Sequence, residues 1–253
     1  MKKLLGLLLV GSAFVMTSCE TTREISFNAD GSGTMVTTTD MSGLIALAKM
    51  SGQGKELEKA DKALDTTINL DKMIDSLPDL SAEEKTLARK GKLGLNIDMG
   101  EEKLVTKLHF PFSDAKEINK LNELSAKVME QTMKKQMDGG AGGDAPPIPT
   151  DEMPKGSMDE YFTTTYSKGV IEKKLIAAKY DSVANDKGMQ TMKEMAGEGM
   201  PMNTTLIFNL PRPAKKAEGK NVKLSEDKKK VTILSSVDDF FDDATKLEFR
   251  IEY

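Results

Sequence analysis

From Ile25 the chain alternates, with Ile25, Phe27 and Ala29 on one side and Ser26 and Asn28 on the other. A period of two sends every second side chain to one face, so this segment predicts a strand with one face on a core. Asp30-Gly31-Ser32-Gly33 supplies turn chemistry and Thr34 to Thr39 is rich in β-branched residues, which makes the unit a β-hairpin. From Gly43 to Lys90 the period changes. Leu44, Leu47 and Ala48, then Leu57, Ala60 and Leu64, recur every three or four residues, and Leu80-Ser81-Ala82-Glu83-Glu84 has the form of a helix start capped by Ser81. Two or three short helices are expected there.

Alternation returns through Leu93, Leu95, Ile97 and Met99, and again from Lys103 to Phe112, with Gly100-Glu101-Glu102 as the turn of a second hairpin. Ser113 then caps an expected helix from about Asp114 to Met137, whose apolar face carries Ile118, Leu121, Leu124, Val128 and Met129. Asp138 to Gly156 is packed with Gly, Pro and Asp and reads as a mobile linker or long loop that adds nothing to a core. Beyond it, Glu160 to Ser167 and Val170 to Ile176 flank Ser167-Lys168-Gly169 as a third hairpin, whose second arm is alternatively the start of a helix. Asn203 to Leu210, Val231 to Ser235 and Lys246 to Tyr253 complete the expected strands.

Hairpins interrupted by helical inserts define an α+β fold with a mainly antiparallel sheet. Strands lie on both sides of 138–156, so one shared sheet and a split into two lobes both fit. Leu104 to Asn119 and Thr205 to Ala217 echo each other as strand, Phe, Pro and helix, an arrangement consistent with a duplicated unit.

Ahead of the first strand stand Met1-Lys2-Lys3, an apolar run from Leu4 to Met16, and Thr17-Ser18-Cys19. A basic start and an apolar stretch too short to span a bilayer make residues 1–18 a secretory signal peptide. With Ser18 directly before Cys19, the pattern resembles the lipobox of bacterial lipoproteins, while Met16 departs from the aliphatic residue usual three positions before the Cys. An ordinary signal peptide with an unmodified Cys is the other reading. Cys19 is the only cysteine, and an unpaired thiol in an oxidising compartment invites intermolecular disulfides, so its place at the cut makes most sense if it is acylated. The lipobox resemblance implies lipidation at Cys19, a lipidated tether over 19–24, a domain over 25–253, and a lipid-anchored address in the bacterial cell envelope, at the outer membrane. Leu210-Pro211 to Gly219-Lys220, then Lys230-Val231-Thr232-Ile233 and the closing strand, resemble the C-terminal pattern of LppM-type bacterial lipoprotein domains, and no residue role is carried over from that likeness.

Removing residues 1–18 takes away two lysines and no acids, so the formal charge falls from -4 to -6. A mildly acidic chain offers no basic face to phosphates, which argues against nucleic acid as partner. Membrane attachment then comes from the lipid and not from a polybasic patch. Aromatic residues make up 5% with no Trp, too few for a glycan or base-stacking platform.

Four groups are candidates for chemistry. The single His, His109, sits between Leu108 and Phe110 in an expected strand, on the face opposite to theirs; a catalytic triad or a zinc site needs a His held by a third group, and one His with no thiol partner argues against most hydrolase and zinc designs. Asn28 to Thr34 imitates the first half of a calcium loop, but its flanks alternate as strands and Thr39 stands where a bidentate Glu is needed. Asp238, Asp239, Asp242 and Asp243 bracket Phe240-Phe241 and suit a hard cation, or a solvated turn anchored by the two rings.

Methionine is the fourth. Met129, Met133 and Met137 are spaced by four, and Met189, Met192 and Met195 by three, with Met200 and Met202 following. Thioethers are soft ligands that select Cu(I), and Met is equally an adaptable core filler. The sequence therefore reads as a non-enzymatic, lipid-anchored envelope protein with a binding or structural role and no cofactor. Its expected partners are the membrane, through the N-terminal lipid, and another envelope protein. Periplasmic Cu(I) or soft-metal binding through Met189, Met192 and Met195 is the alternative, and an enzyme working with carboxylates alone is the third class.

Overall fold

The first hairpin forms as its alternation requires: β1 (Cys19–Phe27) pairs antiparallel with β2 (Gly33–Asp40), Ile25 opposite Met35. In the turn, the Asp30 carboxylate accepts from the Ser32 backbone N–H at 3.0 Å and the Ser32 hydroxyl at 2.7 Å, and Gly31 takes φ 91. These are turn hydrogen bonds, so the calcium-loop likeness ends in a hairpin. The computed structural model describes residues 19–43, 45, 63–74, 80–137, 157–197 and 201–253. The expected signal peptide and the expected linker over 138–156 lie outside the described residues.

Two sheets are built. The larger adds β3 (Leu64–Asn69), β4 (Lys92–Asp98), β5 (Lys103–Phe112), β8 (Met202–Asn209), β10 (Val222–Leu224) and β11 (Lys230–Ser236) to the first hairpin, in the order β10-β11-β8-β1-β2-β5-β4-β3. Its one parallel pair, β1 with β8, sets Ile25 beside Phe208 and joins strands from either side of 138–156. The smaller sheet runs β6 (Phe162–Ser167), β7 (Val170–Leu175), β12 (Phe249–Glu252) and β9 (Lys216–Glu218), all antiparallel. With five α-helices among the described residues, the architecture is α+β with mostly antiparallel sheets.

One apolar cluster joins the two sheets and the long helix. Ile25, Phe27, Met35, Leu108, Phe110 and Phe208 from the larger sheet meet Ile171, Phe249 and Ile251 from the smaller. Phe208 and Phe249 bridge them with ring centroids 5.7 Å apart. Helix α2 (Ile118–Met137) lays Ile118, Leu121, Leu124 and Val128 on this core, as a stripe at three- and four-residue spacing dictates. A second, smaller cluster gathers Tyr161, Phe162, Met189, Phe240, Ala244 and Leu247. It is assembled from α4 (Lys187–Gly197), α5 (Val237–Asp243) and the single turn over Met158–Tyr161, with the short α3 (Ala177–Tyr180) contributing Tyr180.

Helix α1 (Ala82–Ala88) starts where its cap was expected. The Ser81 hydroxyl accepts from the Glu84 N–H at 3.2 Å, and the Glu84 carboxylate accepts from the Ser81 N–H at 2.8 Å and from the Lys127 ammonium of α2 at 2.5 Å. Lys127, then Ser81, holds the Glu84 carboxyl down at about 2. Ser81→Ala is expected to lose about 1 kcal/mol, read as a lower urea midpoint with an unchanged slope. A midpoint equal to that of the wild type would show that the cap contributes nothing.

Several boundaries differ from the sequence reading. Leu64 opens strand β3 instead of closing a helix, because Leu64, Thr66 and Ile68 share a face opposite Ile97, Leu95 and Leu93. The helix after Ser113 is capped by Asp114, which accepts from the Lys116 N–H at 2.8 Å, and begins as a 3-10 turn over Ala115–Glu117 before α2. Residues Ala244–Leu247 form a 3-10 turn, so the last strand is only Phe249–Glu252. The echo of Leu104 to Asn119 also fails at its second half, since Lys216–Glu218 is strand β9 and not a helix. The stretch read as a tether is strand from Cys19 onward: Glu20 to Arg23 pair with Asp40 to Thr37 on one side and with Asn203 to Leu206 on the other.

Candidate functional site

On β1, Arg23 has the same parity as Ile25 and Phe27, so a charged residue occupies the inward register of a central strand. On β7, Lys173 stands in the same relation to Ile171. Neither cation is left alone. The Lys173 ammonium donates to one oxygen of Asp159 at 2.6 Å and the Arg23 guanidinium donates to the other at 3.1 Å. Their side chains are 7% and 16% exposed, while Asp159, on the single turn over Met158–Tyr161, is 46% exposed. Two enclosed cations therefore share one carboxylate that reaches them from the surface side. The ammonium also lies 4.4 Å from the centre of the Phe162 ring, where a cation is attracted to the ring face.

A cavity of about 450 Å³ opens at this triad, within the range of small-molecule sites. Helix α2 gives it Asn119, Asn122, Glu123 and Ala126, a stripe that flanks the buried one, and Asn119 ties the helix to β6 by donating to the Thr164 carbonyl at 2.9 Å. Phe162, Leu206 and Phe249 give apolar wall, and Tyr166 gives a hydroxyl.

The electrostatics follow from this packing. Lys173, supported by Arg23, holds the Asp159 carboxyl well below the usual carboxylate range. Burial pushes the Tyr166 phenol up to about 12, so it remains protonated at neutral pH. Two buried polar atoms on these walls, Arg23 Nε and Asn122 Oδ1, lack a hydrogen-bond partner, as does the Thr37 hydroxyl, whose residue pairs with Arg23 across β1 and β2. Buried polar atoms are rarely left unpaired. The site holds more hydrogen-bonding capacity than Asp159 uses.

The residues singled out in the sequence lie elsewhere. Cys19 is the first residue of β1, partly buried, and its N–H donates to the Pro201 carbonyl at 3.1 Å. Burial, then Asp40 and Glu20, raises its thiol above the ordinary value, the reverse of what a reactive cysteine needs. Met189 is fully enclosed in the smaller apolar cluster, Met192 packs against that cluster, and Met195 is half-buried on the same helix. Their spacing of three is explained by an apolar helix face. Met133 and Met137 have side chains outside the described residues, and so does Met200.

His109 lies on the side of β5 opposite Leu108 and Phe110, between Val36 and Lys92 in the sheet, with Nδ1 buried and unpartnered. Of the four aspartates around Phe240-Phe241, Asp242 is exposed, 3.9 Å from Lys246, and the other three are in local use or at a helix start. Asp238 and Asp239 stand in the first turn of α5, Asp239 also accepts from Asn221, and Asp243 accepts from Lys220 at 2.7 Å and caps the following turn. Among the described residues no group of three or more His, Cys, Asp or Glu is arranged to hold a metal ion, and no helix is long and apolar enough to cross a membrane.

Sequence reasoning missed the triad entirely. The sequence pattern puts Arg23 in the expected tether and Asp159 just beyond the expected linker. The usable signal was a cation in the buried register of each of two strands, which demands an anion from a third element. No family model, no curated protein and no solved structure matches this chain.

Proposed function

We propose that this chain is a lipid-anchored protein of the bacterial cell envelope, attached at the outer membrane through Cys19, whose α+β domain binds a ligand or an envelope partner and performs no catalysis. The observation that carries the anchor is the position of Cys19. The only cysteine stands where a lipobox-type cut would fall, and it is also the first residue of a central strand. Its raised thiol pKa, set first by burial, speaks against a thiolate nucleophile or redox centre, and a thioether to lipid has no such titration.

The strand assignment changes what an anchor at this residue does. With no free residues between Cys19 and the sheet, the lipid would hold the end of β1 against the membrane surface, together with Met202, which pairs with Cys19, and Asp40, which pairs with Glu20. The domain would have one orientation where a six-residue tether would allow many. The binding role is supported by the cavity at Arg23, Asp159 and Lys173, whose enclosed charges are compensated and whose walls mix apolar surface with polar groups.

Metabolic labelling with a fatty acid tests the anchor. Wild type is expected to incorporate label and Cys19→Ala to incorporate none. Equal labelling of the two, or labelling of neither, would overturn it.

A further inference from the structure

The triad at the cavity is asymmetric in a way that suggests what the cavity takes. Both cations are fixed on sheet strands and enclosed, whereas the carboxylate comes from a single 3-10 turn and is half exposed. The cations belong to the permanent walls, and the anion enters from outside. We propose that Arg23 and Lys173 form a receptor for an oxyanion of more than two oxygens, the phosphate group of a small ligand lodged in the adjacent cavity, and that Asp159 occupies this receptor as an internal substitute when no ligand is bound.

Hydrogen-bond capacity supports the assignment. Asp159 offers two oxygens and engages Arg23 Nη1 and Lys173 Nζ, while Arg23 Nε and the hydroxyl of Thr37, the residue paired with Arg23 on β2, stay unpartnered and buried. A group with three or four oxygens has acceptors for the donors that a single carboxylate leaves unmet. Charge points the same way once Asp159 swings aside, because two enclosed cations then face the cavity without an anion. Of the acids at its rim, Glu160 is engaged by Lys179 at 3.4 Å and Glu123 is exposed on α2. The remaining volume, against Phe162, Leu206 and Phe249, has room for the apolar body of a ligand that carries the oxyanion.

This inference rests on the reading of the domain as a binding module and is independent of the anchor, so its failure would leave the fatty-acid labelling result untouched. The test is thermal unfolding of wild type, Asp159→Asn and the double variant Arg23→Gln/Asp159→Asn, in sodium phosphate and in sodium chloride at matched ionic strength. A ligand that binds only the folded state stabilises it by mass action. In chloride, Asp159→Asn is expected to melt about 8 °C below wild type. In phosphate it is expected to regain at least half of that loss, wild type to gain less because Asp159 competes, and the double variant to gain nothing.

Equal gains in all three proteins would mean a general salt effect and would overturn the proposal, as would an Asp159→Asn variant that responds to phosphate no more than to chloride. Should Asp159→Asn fail to fold in chloride, refolding in phosphate supports the site, and failure in both salts overturns it. Vesicles of phosphatidic acid in phosphatidylcholine, added in place of inorganic phosphate, separate two sources of the same chemistry. Protection of Asp159→Asn by vesicles and phosphate alike identifies a lipid headgroup, and protection by inorganic phosphate alone identifies a soluble ligand.

Discussion

Phe240→Ala is expected to cost about 4 kcal/mol, roughly a quarter or more of the stability of an ordinary domain. The Phe240 ring is fully buried and has aromatic neighbours on several sides, with centroids at 5.2 Å to Phe241, 5.3 Å to Tyr180, 5.4 Å to Tyr161 and 6.2 Å to Phe162. Removing it opens a cavity in a cluster that is small and whose members come from three separated stretches of chain. Edge-to-face contacts worth roughly 0.5–1.5 kcal/mol each are lost with the ring. The loss is read as a Tm lower by about 10 °C and as a weaker near-ultraviolet signal, which in a chain without Trp comes largely from its four tyrosines. Phe241→Ala, at a partly exposed ring, is expected to cost less than half as much. A Phe240→Ala variant within about 1 kcal/mol of wild type would mean that this cluster does not fold as a unit with the main core.

Strong periodicity made most of the fold legible. The β4–β5 hairpin was expected at Lys92 to Met99 and Lys103 to Phe112 and is found at Lys92–Asp98 and Lys103–Phe112, because each strand buries alternate residues and a polar turn separates them. The long helix was legible for the same reason, its apolar stripe repeating for three turns. Edge strands were not. Strand β3 buries little, and Leu64, exposed at the sheet edge, falls by chance four residues after Ala60, so a helical spacing and a strand were both available there. Strand β9 is three residues long and exists only because Arg250 and Glu252 of β12 find Glu218 and Lys216 beside them. Nothing local in Lys216-Ala217-Glu218 demands a strand.

The candidate site was illegible for a different physical reason. Arg23 is 136 residues from Asp159, Asp159 and Lys173 sit on different elements, and each is unremarkable by itself. What makes them a site is that a parallel pairing of β1 with β8 and the packing of β7 over the same core turn two cations inward at one place. Parity along each strand reports that a charge is enclosed, but the partner that neutralises it comes from a turn that no period announces. The EF-hand likeness at Asn28 to Thr34 shows the converse, a local pattern with a local explanation, since the Asp30 oxygen is consumed by Ser32.

The same asymmetry predicts an order of stability effects that separate side-chain contributions alone would not give. Asp159→Ala leaves Lys173, almost wholly enclosed, and Arg23 without an anion, and the expected cost is about 3 kcal/mol, at the low end for a broken buried pair because Asp159 itself is half exposed. Lys173→Met removes one of the two cations and leaves Arg23 with Asp159 one to one, with an apolar thioether in place of the ammonium beside the Phe162 ring. Its expected cost is within about 1 kcal/mol. The double variant Asp159→Ala/Lys173→Met, with only Arg23 left unpaired, should then be more stable than Asp159→Ala alone, a coupling that a double-mutant cycle in urea measures directly. The pH dependence carries the same sign. Because Lys173 and Arg23 lower the folded-state pKa of Asp159, the stability it contributes is fully present above the ordinary aspartate value near 4 and is lost as the pH falls below it. Asp159→Ala should therefore lose part of the acid-side slope of the wild type, and Lys173→Met should keep a shallower version of it. Additive costs in the cycle, or a Lys173→Met loss as large as that of Asp159→Ala, would show that the two cations do not depend on this one carboxylate.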